Sequence, residues 1–190
     1  FTYTYVEEKD ENGDNVPDKY QIKVTFDATT EGTIAGTDDQ TQVIYLTKTN
    51  DAGYEANVYP TEGPEVDVKD PAREFDSWNL GENAGQTIPA DAQDVTYTAT
   101  YKDAADENGD EVPDKYQIKV TFDATVEGTI AGTDDQTQVI YLTKTNDAGF
   151  AADVYPAEGP AVDVKDPARE FAGWNFGENA GQTIPADATD

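Results

Sequence analysis

The chain has 190 residues, 40 acidic against 12 basic, for a formal net charge of −28, and it contains neither histidine nor cysteine. That balance repels phosphate backbones and anionic lipid, which excludes nucleic-acid binding, and the missing thiols exclude disulfides and thiolate metal sites. Eleven tyrosines, seven phenylalanines and two tryptophans set it apart from acidic disordered chains, and no run of about 18 apolar residues is present to insert into a membrane.

In chain order, Phe1–Tyr5 (Phe-Thr-Tyr-Thr-Tyr) opens with the period-two alternation of a strand. The acidic stretch Asp10-Glu11-Asn12-Gly13-Asp14 follows, and Lys19–Phe26 then places Tyr20, Ile22, Val24 and Phe26 on one face of a half-buried strand. Thr29–Gln40 is rich in turn residues, with room for a short edge strand around Thr33–Ala35. Thr41–Thr49 is a β-branched strand bounded by Asp38-Asp39 and Asn50-Asp51. Glu55–Tyr59 and Glu65–Lys69 read as short extended pieces before prolines. Glu74–Leu80, carrying Phe75 and Trp78, is a third main strand, and Val95–Tyr101 a fourth, with Val95, Tyr97, Ala99 and Tyr101 on one face. No window has sustained helical periodicity, so helix is expected only as single turns near Asp70–Glu74 or Ala90–Asp94.

The sequence then repeats. Asp10–Asp14 recurs as Asp106–Asp110, and over Lys9–Asp94 and Ala105–Asp190 only 12 of 86 aligned positions differ. Exchanges such as Tyr54 for Phe150 and Leu80 for Phe176 keep their apolar character. In this alignment Phe1–Tyr5 corresponds to Tyr97–Tyr101. The expected domains are therefore residues 1–8, a closing strand of a preceding repeat plus linker; residues 9–102, the first module; and residues 103–190, a second module without its own closing strand.

The motif Lys165-Asp166-Pro167-Ala168-Arg169-Glu170-Phe171-Ala172-Gly173-Trp174 resembles the signature of the Listeria–Bacteroides repeat, also called the internalin B-repeat. The first copy departs from it at Ser77, where the glycine falls. Asp-Glu-Asn-Gly-Asp-x-Val-Pro-Asp-Lys-Tyr-Gln is similar to joints between repeats of large Gram-positive surface adhesins, and the closing strand Thr-Tyr-Thr-Ala-Thr-Tyr is similar too. The resemblance implies a β-grasp-like, mainly β fold, an extracellular position on a bacterial cell surface, and a stalk or adhesive role. Strands joined end to end through Tyr101–Pro113 lead us to expect an elongated rod.

The strongest chemical pattern is Asp10, Asn12, Asp14, Val16 and Asp18, repeated as Asp106, Asn108, Asp110, Val112 and Asp114. Side-chain oxygens at positions 1, 3, 5 and 9 with a main-chain carbonyl at 7 have the spacing of a calcium loop, where alternate residues point inward around a hard cation. Position 6 is Asn15 or Glu111 rather than glycine, and position 12 is Gln21 or Gln117 rather than glutamate. Weak calcium binding is expected, against the simpler reading of an acidic turn closed by Asn-Gly and proline. Trp78 and Trp174 fit core positions better than a sugar platform. Asp38-Asp39 and Asp134-Asp135 sit in turns that point neighbours apart. With no histidine or cysteine and Ser77 the only serine, the usual nucleophile–base pairs cannot be assembled, and no enzymatic activity is expected. The expected partners are neighbouring repeats, a host protein or glycan, and a second copy of the chain joined head to tail through residues 1–5.

Overall fold

The computed structural model describes all 190 residues and divides them into two compact units, Phe1–Asp103 and Ala104–Asp190. In both, the regular secondary structure is strand apart from one short 3-10 turn, and no helix is long and apolar enough to cross a membrane.

In the first unit the strands are β1 (Gln21–Asp27), β2 (Gly32–Ile34), β3 (Thr41–Thr47), β4 (Val66–Val68), β5 (Arg73–Trp78) and β6 (Val95–Asp103). The main sheet runs β3-β1-β6-β5. The β1–β3 and β5–β6 pairs are antiparallel, whereas β1 and β6 lie parallel at the centre, with Val24 opposite Val95 and Phe26 opposite Tyr97. This is the β-grasp-like arrangement, first and last strands side by side, without a long helix across the sheet. β2 and β4 form a separate antiparallel pair.

One face of the sheet is covered. Ile22, Val24, Phe26, Tyr59, Ile88, Ala92 and Tyr97 form the buried cluster, with Trp78, Leu80 and Leu46 packed at its margin. Phe75 and Trp78 are three residues apart, a spacing that would place them on opposite faces of a regular strand. A bulge between Phe75 and Ser77 resets the alternation, and the two rings meet at 5.8 Å.

Several expected boundaries move. Lys19 and Tyr20 belong to a 3-10 turn, Asp18–Tyr20, which follows Pro17, so β1 starts at Gln21. Gln21 and Ile22 are both buried, which breaks the alternation at the strand's entry. The strand expected over Thr41–Thr49 ends at Thr47, because Thr49 turns to donate to the Ile88 carbonyl. The third main strand stops at Trp78 rather than Leu80, and Glu55–Tyr59 contributes only a bridge, Val58 to Thr87. Single turns close at Asp70–Arg73 and Pro89–Ala92. Phe1–Val6, strand-like in pattern, lies outside any strand, with Tyr3 and Tyr5 about as exposed as in an extended chain.

The second unit repeats the plan with β7 (Gln117–Asp123), β8 (Gly128–Ile130), β9 (Thr137–Thr143) and β10 (Val162–Val164). β7 pairs with β9 in the register of β1 with β3, and β8 pairs with β10. Arg169–Trp174, the counterpart of β5, forms no strand.

Candidate functional site

Asp10 through Asp18 make one closed loop, and each side chain of the sequence pattern has a definite place in it. Asp10 accepts the main-chain N–H of Gly13 on Oδ1 and that of Asn15 on Oδ2, at 2.8 and 2.9 Å. Asp14 Oδ1 accepts from Val16 N, and its Oδ2 accepts from the amides of Asn12 and Gln21. Asp18 Oδ1 accepts from Glu11 N, while Asp18 N donates to the Lys9 carbonyl, so the two ends of the loop are tied together. The second copy forms the same bonds: Asp106 with Gly109 N and Glu111 N, Asp110 with Val112 N, Asn108 and Gln117, and Asp114 with Glu107 N. Asp and Asn side chains compete for local N–H groups in just this way, which is why they concentrate in turns.

These bonds lower the pKa of Asp14, chiefly through the Val16 N–H, and of Asp110, chiefly through the Gln117 amide. In the second copy Glu107 also binds Lys119 Nζ at 2.9 Å and the Tyr141 hydroxyl at 2.8 Å, and the lysine holds its carboxyl below the ordinary range.

The sixth loop position is where the two copies differ. Asn15 has φ 68° and Glu111 φ 70°, both in the left-handed region. Asparagine enters that region readily and glutamate does not, so the second loop carries strain the first avoids.

For calcium, the oxygen-rich donor set and the left-handed sixth residue have the right chemistry and backbone. Val16 and Val112, the main-chain position of the pattern, donate their N–H groups to Asp14 and Asp110. No group of three or more Asp and Glu side chains is gathered where one ion would bind them together. The acidic oxygens are turned on the loop's own N–H groups instead.

Two packing features around the loop and the sheet were not legible in the sequence. Gln21 and Gln117, the twelfth loop residues, are buried to 6% exposure; each donates its amide to the loop aspartate while its Oε1 is buried with no partner. Their polar type in a strand pattern suggested exposure, and only their place after a tight loop hinted otherwise. The second feature is a slot for Tyr101, whose hydroxyl donates to the Ala28 carbonyl at 2.5 Å and crowds Gly32, leaving no room there for a Cβ. Burial raises the pKa of this tyrosine.

The tryptophans are structural. Trp78 Nε1 donates to the Pro64 carbonyl and its ring lies on Gly63, while Trp174 repeats both contacts with Pro160 and Gly159. Asp39 and Asp135 are exposed turn residues whose main chains are bonded to Ile34 and Ile130. No family model, curated protein or solved structure matches the chain.

Proposed function

We propose that the chain is a non-catalytic spacer, two tandem modules of a stalk that holds a binding domain away from a bacterial cell wall. The observation that carries this reading is the duplication of a whole module, loops as well as core. Ile22, Phe26, Ile34 and Ile88 are buried in the first copy, and Ile118, Phe122, Ile130 and Ile184 in the second. A binding site is selected on one surface; copying every surface with equal fidelity fits a part whose useful property is its length. The residue motifs shared with the Listeria–Bacteroides repeat and the strongly negative charge agree with an extracellular setting.

The loops Asp10–Asp18 and Asp106–Asp114 are the joints of this design, and weak calcium binding there, on the order of 10⁻⁴ M as in extracellular modules, would stiffen them. Small-angle scattering of the intact chain should give an elongated particle, and a compact one defeats the spacer. Screening it against glycan and serum-protein arrays should give no specific ligand. A specific one bound by a single module replaces the spacer with an adhesive binding module.

A further inference from the structure

Each unit leaves the outer edge of one hairpin open. In the first unit β3 is the outermost strand of the order β3-β1-β6-β5, and in the second β9 pairs with β7. The antiparallel β1–β3 register settles which way each residue of β3 bonds. Lys48 N donates to the Tyr20 carbonyl and Ala28 N to the Gln40 carbonyl, so the even-numbered residues Gln42, Ile44 and Leu46 bond toward β1. The odd-numbered residues direct their main-chain groups away from the sheet. Two of these are taken: the Asp39 carbonyl accepts Ile34 N, and the Thr47 N–H and carbonyl are both bonded to Asn57. Between them the N–H and carbonyl groups of Thr41, Val43 and Tyr45 have no partner. β9 is open in the same way at Thr137, Val139 and Tyr141. Its open stretch is bounded by Asp135, which accepts Ile130 N, and by Thr143, held by Asp153.

Sheet edges are ordinarily guarded by lysine, proline or a bulge. Thr41–Thr47 and Thr137–Thr143 have none of these: both read Thr-Gln-Val-Ile-Tyr-Leu-Thr, uncharged and regular in register, on a chain of net charge −28. Charge stands only at the two ends, Asp38 before the strand and Lys48 after it. Neither side chain has an ion-pair partner within its own unit. We propose that this edge is a self-association site, at which β3 or β9 pairs antiparallel with the same sequence in a second copy of the chain, about a two-fold axis at Val43 or Val139. That register uses the open main-chain groups and no others, since Val43 meets Val43 and Thr41 meets Tyr45 in both directions. Asp38 and Lys48 lie equally far from Val43, so each meets its opposite in the other copy, as do Asp134 and Lys144 about Val139. The neighbouring registers set an open residue against Asp39 or Thr47, already bonded, and part the charges. Val43 and Val139, 39% and 42% exposed, meet their counterparts on the uncovered face of the sheet. Main-chain hydrogen bonds hold such an added strand, and the contact is isologous. It needs only the edge, so it stands apart from the spacer reading.

Sedimentation of the intact chain at rising concentration, up to about 1 mM, tests this and should show reversible association. Val43→Lys with Val139→Lys alters only exposed positions, sets lysine against lysine across the axis, and should weaken association about tenfold. Val43→Pro with Val139→Pro should abolish it, because proline removes an outward N–H that no bond within the unit uses. Lys48→Glu with Lys144→Glu should weaken it severalfold, and adding Asp38→Lys with Asp134→Lys should restore it. Adding Glu82→Lys with Glu178→Lys instead, at exposed positions off the edge, returns the same net charge and should not restore it. By hydrogen exchange, the Val43 and Tyr45 amides should be unprotected in the dilute chain and gain protection as concentration rises. A chain that stays monomeric to about 1 mM overturns the proposal. So does association indifferent to the lysine pair with the fold intact by circular dichroism, or rescue that is equal at both sets of positions. A Val43 amide already protected in the dilute monomer also overturns it, since the chain then covers its own edge.

Discussion

The two units are near-copies in sequence, and the second has no counterpart of β5 or of β6. With β6 present, Arg73–Trp78 is a strand, Val24 is fully buried and Phe75 half-buried. Without a strand in that place, Arg169–Trp174 loses its regular pairing, Val120 becomes half-exposed and Phe171 rises to 42% exposure. The hairpin of β7 and β9 is untouched in register. One cause of the difference is the neighbouring strand, as expected where β-propensity reflects cross-strand packing. The other cause lies in the segment itself, where Asp76 and Ser77 become Ala172 and Gly173, both poor strand residues.

Extending the chain after Asp190 with Val-Thr-Tyr-Thr-Ala-Thr-Tyr-Lys-Asp separates these causes. It should convert Arg169–Trp174 into a strand and stabilise the second unit by roughly 4 kcal/mol, from two buried tyrosines and a closed edge. Calorimetry of the isolated unit, with and without the extension, reads the shift; no shift means that Ala172 and Gly173, not the missing neighbour, abolish the strand.

The converse experiment is Tyr97→Ala in the first unit. It should cost about 3–5 kcal/mol, as for other large buried side chains, and loosen β5 toward the state of Arg169–Trp174. Hydrogen exchange at Phe75 and Trp78 should accelerate together. The double variant Asp76→Ala, Ser77→Gly should cost only about 1 kcal/mol and keep the strand. A larger loss returns the explanation to local sequence.

The acidic loops supply a smaller contrast. Glu111→Asn should stabilise the second unit by roughly 0.5–1 kcal/mol, and Asn15→Glu should destabilise the first by a similar amount, because only the left-handed backbone is at issue. Urea melts of the single units measure both.

Acid should act most weakly. Asp14, Asp110 and Glu107 have depressed pKa values in the fold, so they bind protons more readily when unfolded. Their contribution is present above the ordinary carboxylate range, about pH 4, and is lost as pH falls through the lower folded values. Protection of the Val16 and Val112 amides, taken relative to their intrinsic exchange rates, should therefore fall below about pH 4 before either core melts.

Much of this fold was legible in the residues. The alternation of Ile22, Val24 and Phe26, and of Tyr97, Ala99 and Tyr101, located the two central strands and their buried faces, because a half-covered sheet imposes a period of two. Alternation says nothing about which strand lies beside which, so the parallel β1–β6 pair came only from the structure. The bulge in β5 was hidden for a related reason: Phe75 and Trp78 mark a core segment, but their spacing contradicts a regular strand. In the acidic loops the oxygen pattern was visible, yet whether such oxygens turn to a cation or to neighbouring N–H groups depends on backbone angles that residue types do not specify.

The parallel centre of the first unit has a mechanical consequence. β1 is the first strand of that unit and β6 the last, so a pull on its two ends drags these neighbours past each other along their common axis. The bonds between Val24–Asp27 and Val95–Thr98 then carry load side by side and yield together, whereas an antiparallel end-to-end pair would open one rung at a time. Resistance to tension is set by that short shared stretch, whatever the melting temperature of the rest.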